Sequence, residues 1–241
     1  MKYLHTFDEE QEFLDEYYSQ NYGEPWVSYV RGTEKVDYNK EPTPVPEYVD
    51  LGLPSGKLWA KTNIGASSPE EAGYYFAWGE TYSKPVYDQD TYKFGNEVYT
   101  KYNSTDEKTE LDEVDDAANQ LLGGYWHVPT AEDFAELVNS QNTTEGYATI
   151  NGVWCKTYTS KTNPNNYVAF AKNGDKWYDE EEYVGTYGRF WTADLQDENY
   201  DNPLMFGFCE GGADVTVFDT DCIRAMGCPI RAIYIPPLEV E

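Results

Sequence analysis

Apolar residues in this chain come in short bursts, and the spacing within the bursts changes along the sequence. From Thr6 to Tyr18, residues Phe7, Phe13, Leu14, Tyr17 and Tyr18 fall near helical spacing. Thr6 serves as N-cap with Glu9 three residues on, which predicts a short amphipathic helix. Pro25 to Val30, the turn Arg31-Gly32-Thr33 and Val36 to Tyr38 predict a hairpin. A helix and one hairpin cannot bury a core of their own, so this piece is expected to dock on something else. Pro42, Pro44 and Pro46 then force an extended, semi-rigid connector. The expected division is 1–40 as a docking or anchoring segment, 41–47 as linker, 48–236 as the main domain and 237–241 as a tail.

Within the main domain, Tyr48 to Leu51 and Lys57 to Ala60 flank Gly52 and Pro54-Ser55-Gly56, a strand, tight turn and strand. Ser68 to Gly73 predicts a one-turn helix, with Pro69 at its first position and Gly73 as the stop. Tyr74 to Gly79 is a dense aromatic run suited to a buried strand, and Thr81 to Thr109 has no period and is expected to be a long loop. Leu111 to Leu122 predicts a helix with an acid-rich first turn and a Gly123-Gly124 stop. A second helix starts at Thr130, with Asp133 in the reciprocal capping position and Phe134, Leu137 and Val138 as its apolar stripe. From Asn151 on, short strands are expected at Val153 to Thr157, Tyr167 to Phe170, Arg189 to Thr192, Leu204 to Phe208, Val215 to Phe218 and Pro229 to Tyr234. Acidic loops, Asp179 to Glu182 and Asp194 to Asn202, are expected between them.

Composition narrows the function. Lys and Arg number 17 against 44 Asp and Glu, a net charge of -27 that repels phosphate backbones, so neither nucleic acid nor anionic membrane is an expected partner. The 23 Tyr and 7 Trp suit sheet packing and adaptable recognition surfaces. No basic start followed by an apolar run marks a leader, and no apolar run approaches a membrane span. Cys155, Cys209, Cys222 and Cys228 lack close ligand pairs, which disfavours zinc, and free thiols are preferred over two disulfides.

The blocks DLGLPSGKLWA (Asp50 to Ala60), NIGASSPEEAGYYFAWGET (Asn63 to Thr81) and DDAANQLLGGYWHVPTAEDFAEL (Asp115 to Leu137), with the closing pattern RFWTAD, LMFGF and PIRAI, resemble the major-paralogous (FISUMP) domain. The resemblance runs from about Tyr48 to Pro236. It implies an α+β, C-type-lectin-like fold with two helices, a small mixed sheet and loop-rich faces. The chain departs from the family where its common RPV is Arg231-Ala232-Ile233, and the stretch from Phe208 to Pro229 is richer in Cys and acids. Residues from about Leu4 to Lys40 resemble a short leader module found in surface proteins of gut bacteria and in virion proteins of their tailed phages.

Candidate chemistry is sparse. The only two histidines, His5 and His127, lie apart from the cysteines, and His127 reads as a packed structural ring. The lectin comparison raises calcium, for which Asp194, Asp197, Asn199 and Asp201, or Asp219 and Asp221, would supply oxygens; no cofactor is the expectation. A lectin-like fold also raises a formylglycine-generating type of oxidase, with Cys222 and Cys228 in the right region but without its motif. The expected function is non-catalytic: a virion component such as a fibre, capsid decoration or adhesin subunit, anchored to other virion proteins by its N-terminal segment. A homotrimer is raised by analogy with virion fibres. Trp191, Asn199, Tyr200 and Asp219 are the candidate face for a host glycan or protein. The alternatives are a bacterial surface or fimbrial adhesin and, second, an enzyme.

Overall fold

The computed structural model describes residues 43–95, 98–196, 199–209 and 223–237. The expected N-terminal helix and hairpin, and the strand expected at Val215 to Phe218, lie outside the described residues. What is described is α+β: many short strands in small sheets, with two α-helices.

The frame is a four-stranded sheet. Its strands are β1 (Tyr48–Val49), β2 (Leu58–Ala60), β4 (Trp126–His127) and β13 (Ile233–Tyr234), in the order β1-β2-β13-β4. Trp59 faces Val49 on one side and Ile233 on the other, so the first and last strands among the described residues clasp the same neighbour. The β1–β2 pair forms as the sequence predicts, with a backbone hydrogen bond from Gly56 to Leu53 closing its turn. The resemblance implied a mixed sheet, but every strand pairing described is antiparallel. Each strand's hydrogen-bonded neighbours run opposite to it, so no parallel crossover is required.

Helix α2 (Ala131–Val138) has the predicted capping box, with Thr130 and Asp133 bonding reciprocally. It buries Phe134 and Leu137 against Trp59, Tyr158, Phe170, Phe190 and Phe206, one of two aromatic cores among the described residues. The other predicted helix is shorter than the sequence suggests. Asp116 is extended, and its carboxylate accepts from the Asn119 and Val128 amides, so it caps a new start inside the predicted span. A 3-10 turn (Glu113–Asp115) precedes it and α1 (Ala117–Leu122) follows. The helix predicted at Ser68 to Gly73 is a turn closed by Glu71 N–H to the Ser68 carbonyl. Gly73 sits at φ +69, where a side chain would run into the Ile64 carbonyl, and this left-handed geometry ends the turn.

The remaining strands are antiparallel hairpins. β5 (Thr143–Ile150), β6 (Val153–Ser160) and β7 (Tyr167–Ala171) form one sheet. β8 (Asp175–Trp177) pairs with β9 (Glu180–Glu182), and β10 (Tyr187–Gln196) with β11 (Asn199–Cys209). β12 (Cys228–Pro229) pairs with β3 (Tyr75–Phe76). Both acidic loops expected from the sequence are therefore corrected. Asp179 to Glu182 carries β9, and β10 and β11 run through most of Asp194 to Asn202.

The described residues of the long segment after Glu80 form no helix or extended strand, yet its rings are inside: Tyr82, Tyr87, Tyr92, Phe94 and Tyr102 are all buried. Tyrosine suits this task because its hydroxyl can satisfy a carbonyl that an irregular backbone leaves unpaired. Tyr87 donates to the Tyr75 carbonyl at 2.5 Å and Tyr92 to that of Trp78 at 2.8 Å. A fully buried ion pair, Lys84 to Glu80 at 2.8 Å, and the hub of Asp115 with Lys93, Lys101 and Tyr102 hold the segment in place.

Two arginines complete the interior, both 0% exposed. Arg231 donates to Asn63 Oδ1 and to the Lys61 and Pro69 carbonyls while lying over the Phe170 ring. Arg224 donates to the Lys101 and Tyr102 carbonyls and stacks on Tyr99. Each ties loops to the C-terminal strands through carbonyl groups that have no ladder partner.

Candidate functional site

A cleft of about 470 Å3 opens between the Ser68–Tyr75 loop, the tip of the β5–β6 hairpin, and the segments on either side of β8 and β9. Three structural decisions create it. Asn151 and Gly152 both take positive φ, the geometry of a tight two-residue hairpin turn, and this projects Val153 and Trp154 at the tip. The β6–β7 register pairs Cys155 with Ala171, so Lys172 emerges opposite Trp154. Gly174 at φ +61 then turns the chain sharply into β8, where a side chain would strike the Glu182 carbonyl.

Trp154 is the centre of the wall. Tyr147, 60% exposed, stacks on it at 4.8 Å, and the Lys172 ammonium sits 4.5 Å over the indole. The ring is thus pinned between a diagonal strand neighbour and a cation. Deeper in the cleft, Tyr75 donates its hydroxyl to the Asn173 carbonyl at 2.8 Å, and the Asn173 amide reaches the Glu71 carbonyl at 3.4 Å. Burial pushes the Tyr75 phenol well above its ordinary range, so it stays a neutral donor.

Two carboxylates flank the opening. Glu70 accepts from Ser68 Oγ and from Asn151 Nδ2 at 2.6 Å; the Ser68 bond, ahead of the opposing burial, lowers its pKa and keeps it ionised. Glu181 stands on β9, 3.9 Å from its cross-strand partner Lys176. Ala72, Val153 and Val184 supply apolar lining between these polar groups. Such a lining can hold and orient a small polar ligand with an apolar part.

The residues singled out from the sequence go elsewhere. Trp191 is 1% exposed and its indole N–H donates to the Phe76 carbonyl at 2.6 Å, so it belongs to the core and reaches no ligand face. Asn199 and Tyr200 begin β11, but their side chains, and all of Asp219, are outside the described residues. The loop placement of Asp194 is corrected. The residue lies on β10, and its carboxylate accepts from the Ala131 amide at the first turn of α2. Among the described residues no three His, Cys, Asp or Glu side chains gather as a metal cage. The side chains of Asp197, Asp201 and Asp221 lie outside that description.

His127 has its Nδ1 3.5 Å from Asp116, whose hydrogen bond raises the imidazole pKa against the opposing effect of burial. Cys155 is buried, and burial raises its thiol pKa, the setting of a structural rather than a nucleophilic cysteine. Cys228 is buried in β12, and Cys222 lies outside the described residues. No helix among the described residues is long and apolar enough to cross a membrane. The chain matches no family model, no curated protein and no solved structure.

Sequence reasoning missed Trp154, Lys172, Asn173 and Glu70 as one site. The signal available was Asn151-Gly152, the dipeptide that places Trp154 at a hairpin tip.

Proposed function

We propose that this chain is a non-catalytic recognition protein whose main domain, on a C-type-lectin-like plan, holds out the Trp154 cleft to a partner. The observation that carries the reading is the cleft's chemistry: a pinned indole, a neutral phenol, a buried amide and flanking carboxylates around apolar lining. These groups bind and orient. The lectin-like plan is supported by the first and last described strands clasping one neighbour, by two helices, and by a long loop folded inward rather than trailing.

The finer reading is a component of a tailed-phage particle, anchored through residues 1–40, and it rests on the resemblance of Leu4 to Lys40 to a virion leader module. Immobilised full-length chain screened against glycan and peptide arrays tests the recognition role. Binding that Trp154→Ala abolishes without lowering the melting temperature is the expected result, and failure to retain any ligand overturns it. Peptide mass spectrometry of purified particles tests the placement: detection supports a virion component, whereas recovery only from bacterial envelopes favours the adhesin alternative.

A further inference from the structure

The sheet of β5, β6 and β7 ends on β5, and we propose that this edge takes an extended basic segment of a partner protein as an added antiparallel strand. The turn fixes which backbone groups point outward. In a two-residue hairpin the residues flanking the turn form a hydrogen-bonded pair, so Ile150 bonds with Val153, and alternation turns Ala148, Gly146 and Thr144 toward β6 as well. The N–H and C=O groups of Thr143, Glu145, Tyr147 and Thr149 therefore point away from β6. The Thr143 amide agrees with this phase, since it donates to the Asn139 carbonyl at 3.1 Å and not to its β6 partner Ser160. Among the described residues no hydrogen bond uses the outward backbone groups of Glu145, Tyr147 or Thr149. Exposed edges are ordinarily blunted by proline, a bulge or several charges. β5 has no proline, its register with β6 is unbroken from Thr143 to Ile150, and Glu145 is its single charged residue.

Charge selects the occupant. Glu145, Tyr147 and Thr149 share one face of the strand and all three are exposed. An antiparallel neighbour places a side chain directly opposite each of them on that face, with Cα atoms about 5.5 Å apart. Opposite Glu145 a cation meets a carboxylate, and opposite Tyr147 it meets the outer ring of the Tyr147–Trp154 stack. The protein's own nearby cations are engaged: Lys156 with Glu145 at 2.9 Å, and Lys161 with the Ser140 carbonyl. A carboxylate has lone pairs for a further donor beside Lys156. Past the hairpin tip, Glu70 on Asn151 adds another acid. A second copy of the chain would bring a net charge of -27 against its like, whereas the same field draws a basic segment in. The inference goes beyond the cleft reading, because its bonds are main-chain bonds and it meets the cleft wall only at the Tyr147–Trp154 stack.

Fluorescence anisotropy of capped, labelled heptapeptides with the full chain tests this. The probes are a peptide alternating lysine with threonine, the same peptide N-methylated on its lysines, the same N-methylated on its threonines, and a version with glutamate for lysine. In the proposed pairing the lysines lie opposite Glu145, Tyr147 and Thr149 and turn their N–H groups to β5, while the threonine N–H groups face solvent. Methylating the lysines is therefore expected to weaken binding at least about tenfold, and methylating the threonines less than about twofold, at the same peptide charge. The glutamate peptide is expected to bind at least about tenfold more weakly than the lysine peptide. Amide exchange followed by NMR reads the edge itself: with the lysine peptide bound, the Glu145, Tyr147 and Thr149 amides should slow at least about tenfold, while those of Thr144, Gly146 and Ala148, already bonded to β6, change little. Equal affinity of the two methylated peptides, or unchanged exchange along β5, would reduce the interaction to charge alone and overturn the proposal, as would absence of binding. A Trp154-dependent array ligand without this ladder leaves the recognition reading standing and this proposal refuted; a ladder without any array ligand does the reverse.

Discussion

Trp191 and Trp154 show how far a single residue can be read. Both are tryptophans beside an apolar residue on a strand, Val153 and Phe190 respectively, and only the Asn151-Gly152 dipeptide ahead of Trp154 separates them locally. Trp191 is enclosed because β10 packs beneath β3, where the Phe76 carbonyl needs a donor; Trp154 is half-open because its strand ends in a hairpin tip. The partner that encloses Trp191 is distant in sequence, so the burial of that ring was not legible locally. His127 was read from its place beside a helix cap as a packed ring; in the structure it is partly exposed and pairs with Asp116. Its pairing gives a pH dependence. Because Asp116 raises the folded-state pKa above the ordinary 6.5, the stabilisation is full below that value and is lost as pH rises through the raised pKa. Urea midpoints of wild type and His127→Asn should therefore converge as pH rises above 6.5; a constant difference would refute the coupling.

At the scale of elements, α2 was legible because every cue lay within one turn: Thr130, Asp133 and the stripe of Phe134 and Leu137. The Leu111 to Leu122 helix was over-read because Asp115 and Asp116 look alike in sequence but turn to different partners, a lysine–tyrosine hub and two backbone amides. β5 was overlooked because Thr143 to Ile150 contains Gly146 and Glu145 and little apolar bulk; pairing with β6, not propensity, makes it a strand. The β8–β9 hairpin was hidden beneath four consecutive acids for the same reason. Its hinge is testable. Gly174→Ala should cost about 2 kcal/mol or more in urea denaturation, since left-handed geometry and the Glu182 carbonyl both oppose a side chain. Gly185→Ala, also at positive φ but facing open space, should cost only about 1 kcal/mol. Equal costs would show that the close approach does not matter.

For the whole molecule, charge is segregated. Among the described residues the buried cations are Lys84, Lys156, Lys172, Arg224 and Arg231, and the buried acids are Glu80, Asp115, Asp116, Asp133 and Asp175, five of each. The buried charges of the described residues balance, so they contribute nothing to the chain's net charge of -27. Self-repulsion of that net charge is screened by salt, with a Debye length falling from about 30 Å at 0.01 M to about 3 Å at 1 M. Raising sodium chloride across that range should increase unfolding free energy by on the order of 1 kcal/mol; a decrease would mean that surface ion pairs outweigh repulsion. Composition made the acidity visible at once. It could not show that the cations had been drawn inward in equal number to acids.

The clasp of β1 and β13 on one neighbour leaves Tyr48 stacked on Tyr234 at 5.0 Å, the first and last described strands side by side. A body joined to its surroundings at a single point can be spliced into a loop of another protein without prying that loop apart. The same adjacency lets the chain be reopened elsewhere by circular permutation, with a short bridge from Tyr234 to Tyr48 and new termini at the exposed Asn163-Pro164-Asn165 bend. The topology thus makes this domain portable.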